Sequence, residues 1–261
     1  MGSNFTLNSS VAILTKHDKQ ALLAPLFERA FNSTLIHTDK FDTDSLGTFD
    51  NKIARKLSAV QSALKKAYLA CELTACSQGI GSEGSFNSVF PIGTLNEEFI
   101  GFVDLERKLE IVARASQLSP LGLVTAKSVD EISAKLNRYS AAQKWMVKEN
   151  EQYRKGMSIA EVHAFLSNHT QNKYEVEPDF RAMCCPERQA VIVKAGEDLI
   201  ARLSRFCPEC GHPDFVADLA VKGRECELCQ LPTEQVKHYE AKCIACDYTE
   251  ISRVETQAAS S

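Results

Sequence analysis

At 261 residues, 44% hydrophobic and 25% charged, the chain has the make-up of a globular protein with room for one large domain, or a medium domain plus a small one. A formal net charge of −4 and a pI of about 5.9 argue against a whole-chain nucleic-acid binder, which is more often basic. No run approaches the ~20 apolar residues that span a bilayer, and no export signal opens the chain, so the expected compartment is the cytoplasm.

Residues 1–10 are rich in Ser and Asn and are expected to fray. Val11–Thr15 reads as a buried strand, followed by a polar loop at Lys16–Lys19. Leu22, Leu23, Leu26, Phe27 and Ala30 recur at helical spacing and predict a helix over Ala21–Ala30. Thr34–Thr38 reads as a second strand, and Phe41–Phe49 as an acidic loop in which Asp42 and Asp44 are solvated. Ile53, Leu57, Val60, Leu64, Ala67 and Tyr68 form one stripe, predicting a helix from about Ile53 to Leu73. Gln78–Phe86, QGIGSEGSF, reads as a Gly/Ser-rich turn.

Glu98–Asp104 and Lys108–Ala113 read as neighbouring strands joined at Glu106-Arg107. Ser128 caps a helix carrying Val129, Ile132, Leu136 and Tyr139, with Glu131 completing a capping box. Lys144–Lys148 reads as a strand, Ser158–Leu166 as a helix capped by Ser158, and Lys173–Glu177 as extended. Pro186, favourable at an early helical position, opens a long helix to Phe206. Strands alternating with helices define an α/β body with a mixed sheet flanked by helices. The expected division is an α/β domain over 1–185, a connecting helix over 186–206 and a small zinc-ribbon domain over 207–261.

The tail carries the most specific chemistry. Cys207/Cys210, Cys226/Cys229 and Cys243/Cys246 use six of the ten cysteines. In a reducing compartment paired cysteines are more often ligands than disulfides, and two Cys-x-x-Cys turns can close a tetrahedron around Zn²⁺. A tail of roughly 50 residues is too short to rely on apolar burial, and a metal would supply what its core cannot. The 15 residues between Cys210 and Cys226 favour Cys207, Cys210, Cys226 and Cys229 as one set. Gly211 lets the backbone of the first knuckle turn so that its amides point at sulfur.

The third pair sits between Val236–Ala241 and Tyr248–Val254, which flank it like the arms of a hairpin, and that is ribbon geometry too. Six thiolates do not divide into four-ligand sites. One zinc with a spare dithiol, two zincs with His212 and His238 as extra ligands, and bridging thiolates all stay open. Ligands that are nearly all sulfur point to a structural zinc, and the thioredoxin-like context of a redox dithiol is missing.

Three polar clusters in the body are candidates for chemistry. Thr15, Lys16, His17 and Lys19 stand where a strand becomes a helix, an edge whose free amides and dipole suit phosphate. Glu83 lies among Gly79, Gly81, Ser82, Gly84 and Ser85, where backbone can approach a ligand and the carboxylate could hold Mg²⁺ or orient water. Glu177, Asp179, Arg181 and Arg188 read as an internal ion-pair network, with arginines offered to phosphate as the alternative.

Thr15–Lys19, Asp42–Phe49, Gly81–Phe86, Glu177–Ala182 with Pro186-x-Arg188, and the cysteine tail together resemble a bacterial family of uncharacterised proteins. Its members share TKHxK, DTDxxGTF, GxxSEGSF and ExDxRA…PxR segments before a zinc-ribbon-like tail. The third motif here continues as Asn87-Ser88-Val89-Phe90-Pro91 where the family often has Gly-Pro-His-Pro, so no role of that His transfers. The order of the lysine loop, the acidic GTF loop, a helix with Lys66-Ala67 and a Gly-rich acidic segment is also similar to inosine-triphosphate pyrophosphatases. That resemblance implies phosphate contacts from Thr15 and Lys19, assistance from Lys66, and Mg²⁺ on Glu83. The expectation is a cytosolic zinc protein whose body binds a phosphorylated small molecule or nucleotide, with Mg²⁺-dependent nucleoside-triphosphate hydrolysis as its enzymatic form. The alternative is a non-catalytic adaptor that docks a protein partner through the ribbon.

Overall fold

The structure is a computed structural model that describes residues 5–16, 18–42, 57–89, 93–149, 152–169 and 172–253. The chain forms two compact units, a body from Asn8 to Leu199 and a C-terminal unit from Ile200 to Ser261 that includes Met1–Leu7.

The body opens with β1 (Ser10–Leu14), α1 (Lys19–Phe31), β2 (Thr34–Thr38), α2 (Ala59–Thr74), β3 (Gln78–Val89), β4 (Gly93–Asp104) and β5 (Leu109–Ser119). These strands make a mixed sheet in the order β2-β1-β3-β4-β5, in which β1 runs parallel to β2 and β3 while β3, β4 and β5 form an antiparallel meander. Val11, Ala12, Ile13, Leu14, Ile80, Ile100, Phe102 and Ile111 are buried at its centre. Helix α2 starts at a capping box made by Ser58 and Gln61. The predicted start near Ile53 and most of the acidic loop (43–49) lie outside the described residues.

Gln78–Phe86 is no turn: it is the first three-quarters of β3, paired along its length with β4. Its glycines serve packing. A Cβ at Gly79 would lie 2.6 Å from the Ala67 carbonyl oxygen and from Cys71 Sγ, and one at Gly81 would lie 2.5 Å from the Ala67 backbone nitrogen. Strand residues alternate between faces, so Gly79 and Gly81 flatten the face on which α2 rides, where Ala63, Ala67 and Ala70 are fully buried. Gly81→Ala is expected to destabilise the body by about 1–3 kcal/mol, because the opposing atoms are helix backbone that cannot rotate away. Urea unfolding measures this, and an unchanged midpoint would count against so close a helix–sheet contact.

The second half of the body holds β6 (Val124–Ala126), α3 (Val129–Leu136), β7 (Trp145–Glu149), β8 (Gln152–Met157), α4 (Ile159–Ser167), β9 (Tyr174–Pro178) and, as far as Leu199, α5 (Pro186–Ser204). A second sheet, β6-β9-β7-β8, is antiparallel throughout and was not separated from the first in the sequence pattern. Its core gathers Ile132, Leu136, Trp145, Val147, Val162, Leu166 and Val176. Ser158 and Glu161 complete a capping box on α4, whereas on α3 the Glu131 carboxylate accepts the Lys127 amide and only the Ser128 hydroxyl caps the helix. Helix α5 packs on α1, where a Cβ at Gly196 would strike Leu23 and Leu26. Cys71, Cys184 and Cys185 are buried in the body, and burial pushes their thiols up, Cys71 and Cys185 to about 11.

The C-terminal unit is a three-stranded antiparallel sheet, β10 (Ala217–Lys222), β11 (Val236–Lys242) and β12 (Thr249–Arg253), in the order β10-β11-β12. Residue Ala217 pairs with Ala241 and Lys222 with Val236. Among the described residues after Ser204, the only buried side chains are Cys207, Pro213, Ala241 and Cys243. No helix of the described residues is long and apolar enough to cross a membrane.

Candidate functional site

Strand β1 connects through α1 to β2 on one side and is flanked by β3 on the other, so the crossovers part at its carboxyl end. Open α/β sheets bind ligands at such points. Leu14, the last residue of β1, is in register with Gly81, so Ser82, Glu83 and Gly84 run on past the end of β1. Beside them α1 begins at Lys19, and its N-cap residue Asp18 makes no side-chain cap.

Five charged side chains meet there. Lys66 Nζ lies 2.6 Å from a Glu83 oxygen on the α2 face. On the opposite face Arg188 Nε donates to Glu98 at 2.6 Å and Arg188 Nη1 donates to the Phe180 carbonyl at 2.6 Å. Lys19 Nζ stands 3.8 Å from Glu98. Arg188 also lies over the Phe86 ring, which stacks on Phe180 at 4.3 Å. The pair fits because residue 84 is glycine: a Cβ there would lie 2.5 Å from both Arg188 Nη2 and Glu98 Oε1. Burial, and next the Arg188 charge, lower the Lys19 ammonium to about 8. Lys19 thus stands between the two pairs, within reach of the charges of Arg188, Glu98, Glu83 and Lys66.

Lys19, Lys66, Glu83 and Arg188 therefore come together, with Thr15 and Ser82 buried alongside in the loop and on β3. Lys16 does not join them; it pairs at the surface with Asp42 at 2.5 Å. Arg181 closes on Asp179, two residues away, at 2.6 Å. The Glu177 carboxylate accepts the Tyr153 hydroxyl at 2.9 Å, so the four-residue network expected from Glu177, Asp179, Arg181 and Arg188 is divided among separate partners. Ser85 receives the Asn87 amide at 3.4 Å, and His17 lies outside the described residues. Glu98 was missed. Its signal was a carboxylate at the head of the apolar run Phe99–Val103 within β4, directly across from Gly84.

The second site is in the ribbon. Cys207, Cys210, Cys243 and Cys246 bring their sulfurs within 4.8 Å of one another. Cys207 lies 3.6 Å from Cys246, and Cys210 lies 3.5 Å from Cys243. A tetrahedral ion with metal–sulfur bonds of about 2.3 Å needs sulfur edges of roughly 3.8 Å, so four thiolates placed like this fit one thiophilic ion. All three Cys-x-x-Cys turns share one backbone form. The first Cys accepts from the amide four residues on (Gly211, Gln230, Asp247), and its own amide donates to the carbonyl five on (His212, Leu231, Tyr248), at 2.8–3.0 Å. Gly211, Gln230 and Asp247 all have positive φ, so glycine was not a reliable marker of the knuckle.

The grouping of Cys226 and Cys229 with Cys207 and Cys210 is corrected. The β10–β11 hairpin brings the first and third knuckles together at one end and carries the second to the other. Five strand steps of about 3.3 Å separate the ends, roughly 17 Å. The histidines are not ligands of the cluster either: His212 Nδ1 contacts the Pro213 carbonyl at 2.7 Å, and His238 pairs with Glu240 at 3.0 Å.

Fold and site define an α/β protein with a ribbon whose four cysteines are placed to hold a metal ion. The chain belongs to a family described as a domain of unknown function (DUF6671), whose model matches residues 66–255, from α2 to the end of the ribbon. No curated protein and no solved structure matches the chain.

Proposed function

We propose that the protein is a zinc-stabilised binder of a phosphorylated small molecule, which docks at the carboxyl end of β1. The observation that carries this reading is the meeting of the cations Lys19, Lys66 and Arg188 with Glu83 and Glu98 beside the start of α1, which has no side-chain cap. Buried cations and a helix N-terminus at a strand switch point favour an anion. Lys66 and Glu83 keep about a tenth of their side chains exposed, which gives solvent, and a ligand, a route to the cluster. Zinc is the ion we assign to the four sulfurs, in a closed structural site.

The nucleotide form of this reading, with Mg²⁺ on Glu83 and hydrolysis of a triphosphate, rests on the resemblance to inosine-triphosphate pyrophosphatases. It requires Glu83 to leave Lys66. Titration of the protein with phosphate, pyrophosphate and a panel of nucleoside triphosphates, with and without Mg²⁺, tests both forms. Saturable binding supports the reading, phosphate release abolished by Glu83→Gln supports the hydrolytic form, and no binding to any of these anions sinks both.

Lys19→Met is expected to weaken anion binding about tenfold to a hundredfold, the loss of one charged hydrogen bond. Its ammonium titrates at about 8, and the protonated form is the one that attracts an anion. Affinity for a fully ionised ligand should therefore fall as pH rises through 8, and this dependence should vanish in Lys19→Met. A second reading, an adaptor that docks a protein through the ribbon, is favoured by the apolar residues exposed there, Leu219, Leu231, Ile244 and Ile251 among them. Loss of a co-purifying partner on deletion of 207–261 would support it.

A further inference from the structure

We infer that Cys226 and Cys229 are half of a second metal site, and that the same pair from a second copy of the chain completes it. The knuckle they form repeats the backbone hydrogen bonds of the two that build the closed cluster. The flanking pairing repeats as well: Phe206 bridges Pro213 around the first knuckle, and Glu225 bridges Pro232 around the second. The amides of Leu228 and Cys229 are aimed at Cys226 Sγ, as those of Ala245 and Cys246 are aimed at Cys243 Sγ. Two sulfurs are thus presented in ligand form, yet among the described residues no third His, Cys, Asp or Glu joins them.

The closed cluster shows how such halves combine. The first Cys of one knuckle lies against the second Cys of the other, at 3.6 Å, and the second against the first, at 3.5 Å. That reciprocal pattern has two-fold character. Two identical knuckles can therefore meet the same way, Cys226 of each copy against Cys229 of the other, in an isologous dimer. The free partner must reach the knuckle, and it can: the pair stands at the far end of the hairpin, with Cys229 exposed. Leu228, between the two cysteines, is 96% exposed and Leu231 is 64% exposed, which gives a junction there apolar side chains to cover. Binding of the shared zinc releases the four thiol protons to solvent and leaves a tetrathiolate ion with no open position.

The test uses the full-length chain, purified with Zn²⁺ under reducing conditions, against C226S/C229S. Light scattering over a dilution series gives the mass, and elemental analysis gives the metal. The expected wild type is a dimer with about one and a half zinc ions per chain, one in each closed cluster plus half of the shared ion. The variant should be a monomer with one zinc per chain, and that remaining zinc shows that its ribbon is folded. A wild-type monomer with one zinc per chain overturns this inference and leaves the closed cluster standing. A dimer that survives the double substitution, or two zincs in a monomer, also overturns it. A chain without zinc overturns the closed cluster too.

Discussion

Exchange of Cys207 and Cys243 for serine is expected to strip the metal from the ribbon and to abolish the hydrogen-exchange protection of β10–β12, while the body retains its own unfolding transition. The reason is the make-up of that unit. Of the seven described side chains buried in that unit (Phe5, Arg202, Leu203, Cys207, Pro213, Ala241 and Cys243), two are cysteines of the cluster and none lies on β10 or β12, so little would remain to hold three strands together without the ion. Structural zinc contributes roughly 10–16 kcal/mol to folding in small finger domains, more than one phenylalanine, one leucine, one proline and one alanine can replace by burial, at about 1.5–3 kcal/mol for each large side chain. A chelator should reproduce the effect in the wild-type chain, and re-addition of zinc should reverse it. Protected β10–β12 amides in metal-free protein would show that the cluster is ornamental.

Arg188→Met should destabilise the body by about 3–5 kcal/mol. The guanidinium is fully buried and donates to both Glu98 and the Phe180 carbonyl. Removal leaves Glu98, itself 1% exposed, with Lys19 at 3.8 Å as its remaining cation. An orphaned buried carboxylate costs far more than the pair contributes when intact. Lys173→Ala is the matched control, because Lys173 and Glu175 pair in solvent with side chains 60% and 52% exposed, and its effect should stay within about 1 kcal/mol. Urea unfolding of the two variants separates the cases. A cost below about 1 kcal/mol for Arg188→Met would mean that water reaches Glu98, and the electrostatic argument for an anion at this point would weaken with it.

The legible parts of the chain were those where local pattern and tertiary role agree. Thr34–Thr38, the Ser158 cap and the long helix after Pro186 all read correctly, because apolar periodicity and end signals act over a few residues. Gln78–Phe86 misled because glycine usually signals a bend, and only the presence of α2 across the sheet explains why side chains are missing from an extended strand. The cysteine pairing misled for a different reason. Sequence spacing ranks neighbours by contour length, while an antiparallel hairpin joins its two outermost parts. Lys19 was visible in its polar strand-end loop, Glu83 in its Gly/Ser-rich segment, Arg188 in the charged stretch that begins at Glu177, and Lys66 through the pyrophosphatase resemblance. The resemblance grouped Lys19, Lys66 and Glu83 in one site, but the meeting of Arg188 with them was not visible, since it depends on which strand ends first and on Glu98, four elements away from Lys19.

The three protonated thiols inside the body bear on how the chain can be labelled. Electrophiles such as maleimides attack thiolates, so Cys71, Cys184 and Cys185, sealed from solvent and held above their ordinary titration range, should stay unmodified in the native protein at neutral pH. Ribbon sulfurs would react only when no ion occupies them. Once the half-buried Cys76 is replaced by serine, a fluorescent maleimide therefore becomes a gauge of metal loading, with the interior supplying no background from these three positions.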